Sequence, residues 1–259
     1  MSHTLFDHNR AAWNEALSYH QKARGDFLRA GFAQPGFSVF DRDCDGILLQ
    51  KLSEIDFAGK SIAQLPCNNG RELLSVQQLG AKEAFGFDIS DAAIVQAQQL
   101  AEISDLNATF ERLNILELDH RFDARFDFIY ISEGSLQWFP DLDDYFAIVS
   151  RLLKPGGQLL IFEIHPIAYL FDDANETTAY FNKGPYTYET GLDYVGGEEY
   201  EATECHWFLH KISDIVNAVL RCGIAIRSFD EYNLEMANSE SAKEMEKFPL
   251  SYLLMGEKI

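Results

Sequence analysis

Residues 64 to 70 read "QLPCNNG" and join a short apolar run, "SIAQL", to a segment with helical spacing, "RELLSVQQLG". Between a strand and a helix, such a turn aims backbone N–H groups into the crevice where parallel sheets bind ligands. Asparagine tolerates left-handed backbone almost as glycine does, and Gly70 lets a ligand come close. Asp88 ends the next apolar run in "GFDIS". A carboxylate there can accept from two neighbouring ribose hydroxyls, or else Asp88 or Ser90 caps the following helix. Asn114 offers an amide to an adenine edge with Ile115 to pack on the ring, while Ser132, Glu133 and Gly134 follow the fourth run. Polar or small residues at four consecutive strand ends point to one binding crevice.

Other residues that carry chemistry are weaker. "DRDCDG" places Asp41, Asp43, Asp45 and Gly46 like the start of a calcium loop, but Leu52 stands where the bidentate Glu belongs, so it reads as an Asp-rich turn. His206 and His210 in "CHWFLHK" have the spacing of a helical metal pair without a third ligand, and are read as surface or lid histidines. No metal site is expected. Tyr180, Tyr186, Tyr188, Tyr194 and Tyr200 can line an aromatic pocket, cage a cationic amine or simply pack.

The elements that must hold these residues alternate. Strand 61–65, helix 71–79, strand 84–88, helix 91–103, strand 109–113 and strand 126–131 follow one another, then a helix at 141–153 that stops at "KPGG" before strand 158–163. Strands alternating with amphipathic helices predict a parallel sheet covered on both faces. Residues 1 to about 30 carry apolar positions at helical spacing (Ala12, Ala16, Tyr19, Ala23, Phe27). After Pro166 the rhythm stops for about forty residues, a length that suggests a lid or binding loop. It resumes with a helix at 213–221, a strand at 224–229 and a last strand around 250–256.

With 259 residues, 47% of them hydrophobic, the chain suits one sizeable core with additions. Its 21 Lys and Arg against 41 Asp and Glu give a net charge of -20, which repels phosphate backbones and anionic headgroups; neither nucleic acid nor membrane is expected as a partner. The four cysteines form no C-x-x-C pair, and the opening "MSHTLFDHNR" has no leader pattern, so a reduced, cytoplasmic setting is expected.

"FDFIYISEGSLQWFPDLDDYFAIVSRLLKPGGQLLIFEIHP", with the glycine-bearing turn, Asp88 and the closing "SDIVNAVLRCGIAIRSFDEYN", resembles the class I S-adenosylmethionine-dependent methyltransferases over about residues 55 to 258. The resemblance implies a Rossmann-like doubly wound α/β fold: a seven-stranded sheet, mostly parallel with an antiparallel last strand, helices on both faces. It divides the chain into a helical cap (1–54), a cofactor-binding core (55–166), a lid insertion (167–207) and the completion of the core (208–259). S-adenosyl-L-methionine would be held by Gln64, Pro66, Cys67, Asn68, Gly70, Asp88, Ile89, Asn114, Ile115, Ser132 and Glu133, with Trp13 and Tyr19 closing over it or simply covering the sheet edge. His165 would lie beside the methyl group as a base, or merely orient the loop before Pro166; Glu163 would pair with it or orient a substrate. Trp138 and Phe139 fall near the methyl in this family, or are buried. The acceptor implied is a small molecule, and the protein a monomer or homodimer.

The chain departs from the family where the first strand ends. Gln64 stands for an acid, Pro66 and Asn68 for two glycines, and Asn114 for another acid. Proline removes a backbone donor and Gln64 brings no charge for the cofactor's ammonium. A non-catalytic binding protein on the same fold is the rival expectation. A nicotinamide enzyme is a distant third, because "PCNNG" beside Glu72 is a poor host for a pyrophosphate.

Overall fold

The computed structural model describes residues 2–40, 46–171, 178–234 and 247–259; the Asp-rich turn at Asp41, Asp43 and Asp45 lies outside them. Two compact units make up the chain, Met1–Leu118 with Tyr188–Cys205, and Asp119–Thr187 with His206–Ile259.

The first unit opens with α1 (Ser2–Arg24), α2 (Phe27–Phe32) and α3 (Ile47–Ser53), the last not foreseen. It continues as β1 (Ser61–Gln64), α4 (Arg71–Gln77), β2 (Glu83–Asp88), α5 (Asp91–Ser104) and β3 (Ala108–Arg112). The strands are parallel in the order β3-β2-β1. All four residues of β1 are buried, as expected of a parallel strand covered on both faces. Gly86 in β2 is required by packing: a Cβ there would meet the Phe110 ring at 2.4 Å and Cys67 Sγ at 2.8 Å.

The second unit holds β4 (Phe126–Ile131), α6 (Leu142–Leu152) and β5 (Leu153–Ile164). Next come β6 (Tyr186–Thr190) and β7 (Glu201–Trp207), a two-stranded sheet through which the unit boundary runs. It closes with α7 (Ile212–Arg221), β8 (Ile224–Tyr232) and β9 (Ser251–Lys258). β4 pairs with β5 in parallel, and β9 runs antiparallel between β5 and β8. The two units thus supply the seven sheet strands, with an antiparallel last one, that the family resemblance implies. α6 buries Leu142, Tyr145, Phe146, Val149 and Leu152, the face read from its periodicity. "KPGG" does not precede β5 but lies within it, with Gly156 at φ +75° near the shift in register against β4.

Candidate functional site

The turn after β1 is held by its own polar atoms. Cys67 N–H donates to Phe87 O (3.0 Å), Gly70 N–H to Cys67 O (2.9 Å) and Asn69 N–H to Asn68 Oδ1 (2.7 Å). Asn68 takes φ +47°, the left-handed region that a glycine would ordinarily fill. Gly70, at φ +75°, serves packing: an added Cβ would lie 2.6 Å from Phe110 Cζ and 2.9 Å from Ala97 Cβ. Gly70 is thus in close contact with α5 and β3.

Asp88 braces this turn from the end of β2. Its Oδ2 accepts from Asn68 N–H and its Oδ1 from Ser90 N–H, both at 2.8 Å, and Ile89 N–H donates as well. Helix capping falls to Ser90, whose Oγ accepts from Ala93 N–H at 3.1 Å. A carboxylate has about four lone-pair sites, so these three bonds leave about one for a ribose hydroxyl. Burial outweighs the bonds and pushes the Asp88 carboxyl up to about 6. Ile89 is half-buried and Ile115 buried. Asn114 gives one Oδ1 lone pair to Leu116 N–H (3.1 Å), which leaves the other and its amide nitrogen for an adenine edge.

Gln64, buried at the end of β1, donates through Nε2 to Glu72 Oε2 (2.9 Å). Glu72 Oε1 accepts from Arg71 Nη2 (3.2 Å), and Arg71 Nη1 donates to Asn69 Oδ1 (3.4 Å). The negative charge missing at 64 therefore stands beside it, at 72. Sequence reasoning missed this arrangement, since nothing in the spacing tells that these two side chains meet.

α1 closes over the first turn of α5. Arg10 forks onto Asp91 (2.7 and 2.9 Å), drawing that carboxyl down to about 2, and Asn14 Oδ1 accepts from Ser90 Oγ (2.8 Å) and Ala92 N–H (3.1 Å). The same helix holds residues 188–205. Glu15 accepts from Thr203 N–H (2.9 Å), and His20 Nε2 donates to Leu192 O (2.9 Å). Tyr19, expected on the cofactor, stacks on Tyr200, with centroids 4.0 Å apart and planes 8° apart. One ring face is thereby committed to the insertion. Burial holds the His20 imidazole down at about 4.

In the second unit, Ser132 is buried and Glu133 half-buried after β4. Glu163 is a brace too. Its Oε1 accepts from Gly134 N–H and Ile164 N–H, its Oε2 from Ser135 N–H (2.9 Å) and Leu136 N–H (3.1 Å). Burial pushes this carboxyl up to about 7 despite those donors. It does not pair with His165, whose partner is Glu231 (Nε2 to Oε1, 3.1 Å). His165 Nδ1 accepts from Ile167 N–H at 3.2 Å. With one ring nitrogen accepting and the other donating, the imidazole has no lone pair to take a proton, and burial lowers its basicity further. Glu163 thus holds the loop after β4, and His165 bonds the chain after Pro166 and Glu231 of β8.

The remaining candidates also find structural partners. His206 bonds Thr187 (3.1 Å), while buried His210 bonds Phe139 O (2.8 Å) and is held down at about 4 by its burial. The Phe139 ring packs on Tyr145. Tyr186 stacks on Trp207 and Tyr194 packs on Trp13 and His20, so these tyrosines are packing groups rather than a cage.

A family model described as a methyltransferase domain matches residues 62–157. This stretch is similar to that domain. Among curated relatives, the ribosomal protein L11 methyltransferase of Histophilus somni is 31% identical over 116 residues, 44% of this chain and 36% of that protein. The ubiquinone biosynthesis O-methyltransferase of Pseudomonas fluorescens is 29% identical over 119 residues, 45% of this chain and 50% of that one. The matches thus span between a third and a half of those relatives. A solved S-adenosylmethionine-dependent methyltransferase of Listeria monocytogenes superposes with a TM-score of 0.62 at 19% identity, covering 82% of this chain and 96% of that one. The chain therefore shares the fold of that solved methyltransferase.

Proposed function

We propose that the chain is an S-adenosylmethionine-dependent methyltransferase that acts on a small molecule in the cytoplasm. The observation that carries this reading is the brace from Asp88 to the 66–70 turn. It keeps in shape a loop that has lost two glycines, and it leaves a carboxylate lone pair beside that loop. The chain's own groups fit the cofactor. Asp88 takes a ribose hydroxyl, Ile89 and Ile115 border the adenine, and Glu72 stands where an ammonium is attracted, with Gln64 fixing its direction.

When bound, the cofactor supplies an electrophilic methyl group on a sulfonium. Transfer is an in-line displacement in which positioning provides much of the rate. His165 and Glu163 move no proton, because their acceptor atoms are already engaged. α1 and residues 188–205 cover the acceptor and exclude water. The small-molecule reading is supported by the net charge of -20, which disfavours nucleic acid, and by the small-molecule pathway in the name of the Pseudomonas relative. Among the described residues no helix is long and apolar enough to cross a membrane. Calorimetry with S-adenosylmethionine and S-adenosylhomocysteine tests the proposal: binding below millimolar is expected, and none at millimolar ligand refutes it.

A further inference from the structure

The loop after β4 hangs from one buried carboxylate. Glu163, 4% exposed, collects the N–H groups of Gly134, Ser135, Leu136 and Ile164, which fills the about four lone-pair sites that a carboxylate has. All but Ile164 belong to the loop, so the ionised group fixes it. The register of the sheet sets Tyr252 of β9 directly opposite Glu163, and opposed residues of an antiparallel pair project from the same face. Phe229 stacks on the Tyr252 ring, with centroids 5.3 Å apart, and holds it in place. The Tyr252 hydroxyl is buried without a hydrogen-bond partner among the described residues, and the nearby Glu163 charge helps it keep its proton. The other titratable groups that face Glu163 are Tyr145 on α6, also kept neutral by burial, and, beyond Tyr252, the His165 ring paired with Glu231 of β8.

A protonated Glu163 cannot keep this arrangement. It has an O–H to donate and fewer lone pairs to offer, so at least one loop N–H loses its acceptor, and the O–H needs an acceptor among groups that are donors. Tyr252 Oη can supply one, because a phenol accepts as well as donates. Burial brings the Glu163 carboxyl to about 7, so both forms are populated near neutral pH. We infer that Glu163 and Tyr252 form a proton-operated latch: ionised Glu163 grips the loop at Gly134, Ser135 and Leu136, and a proton taken up from solvent turns its O–H to Tyr252 Oη and releases the loop. No proton passes to or from a substrate in this exchange. The loop begins at Ser132 and Glu133, expected to meet the cofactor, so the latch sets how firmly that stretch is held. It is built from the loop and the sheet alone and does not rest on the cofactor reading.

Amide hydrogen exchange on the full-length chain without ligand tests the latch, read as protection factors so that the intrinsic effect of pH on exchange is divided out. In the wild type, protection at Gly134, Ser135 and Leu136 should be at least tenfold higher at pH 8.5 than at pH 6. Glu163→Gln keeps one acceptor oxygen and puts donors in place of the other, so its loop should be weakly protected at both pH values, with no dependence on pH. Tyr252→Phe keeps the grip of the carboxylate and removes the acceptor for its O–H. Protection at pH 8.5 should then match the wild type, while its loss should begin at a lower pH. Wild-type protection that is the same at both pH values would overturn the inference, as would a pH dependence that survives unchanged in Glu163→Gln. An unmoved midpoint in Tyr252→Phe would overturn the part given to Tyr252. Should Glu163→Gln fail to fold, the wild-type profile and Tyr252→Phe decide the question between them.

Discussion

His20 gives the structure a measurable dependence on acid. Its ring is fully buried, Nε2 donates to Leu192 O, and Nδ1 is buried with no partner among the described residues. Protonation would place a second N–H and a positive charge there, near Arg24 and Arg71, with Asp193 Oδ1 3.7 Å from Nε2 as the opposing attraction. The imidazole accordingly sits at about 4, below the unfolded value of about 6.5. Because the unfolded chain takes up the proton first, stability is intact above about pH 6.5 and is lost as pH falls toward 4. Linkage between these two values gives a loss of about 2 kcal/mol on going from pH 8 to pH 5. His20→Gln cannot titrate, and at pH 8 it should cost about 1 kcal/mol for an altered hydrogen bond. Urea unfolding of both proteins, followed by tryptophan fluorescence at constant ionic strength, measures the difference. The wild type should lose about 2 kcal/mol more than the variant between pH 8 and pH 5. Equal losses, or a greater loss in the variant, would refute the assignment of a buried neutral His20.

Three further outcomes are expected. Asp88→Ala should weaken S-adenosylhomocysteine binding at least tenfold, because the ribose acceptor and the brace on Asn68 are both lost, a change of more than about 1.4 kcal/mol; unchanged affinity by calorimetry would remove Asp88 from the site. Gly70→Ala should lower stability by about 2 kcal/mol or more, since the new Cβ would meet Phe110 and Ala97 at a positive φ; a melting curve matching wild type would contradict this. His165→Ala should lower the melting temperature and leave S-adenosylhomocysteine affinity within about twofold, as expected of a group whose ring nitrogens bond Ile167 and Glu231. A normal melting temperature with abolished turnover would restore it as a base.

Much of the fold was legible because it is local. The strand run at 126–131 and the buried face of α6 follow from apolar periodicity alone. The pairing inside the insertion was not, since Gly, Asn and acids among the tyrosines hide the alternation of β6 and β7. Asp88 could be singled out by its place at a strand end. The roles of Glu163 and His165 could not, because a carboxylate that gathers four backbone N–H groups and one aimed at a substrate look alike in sequence. The Tyr19 contact was hidden for a related reason: its partner, Tyr200, is distant in the chain and met only in the folded unit.

The turn itself shows which part of a glycine-rich loop the chemistry requires. Glycine offers two properties, access to positive φ and room for a neighbour, and they separate here. Asn68 supplies the first at φ +47° and adds an Oδ1 that accepts from Asn69 N–H, a bond no glycine can make. Gly70 keeps the second, because Phe110 and Ala97 fill the space beside it. At 66 proline removes a donor, whereas 67 and 68 keep theirs and spend them on Phe87 O and Asp88. The loop is thus fixed by bonds to the neighbouring strand before any ligand arrives. A loop so preorganised loses little conformational freedom on binding, which offsets part of the affinity lost with the missing glycines.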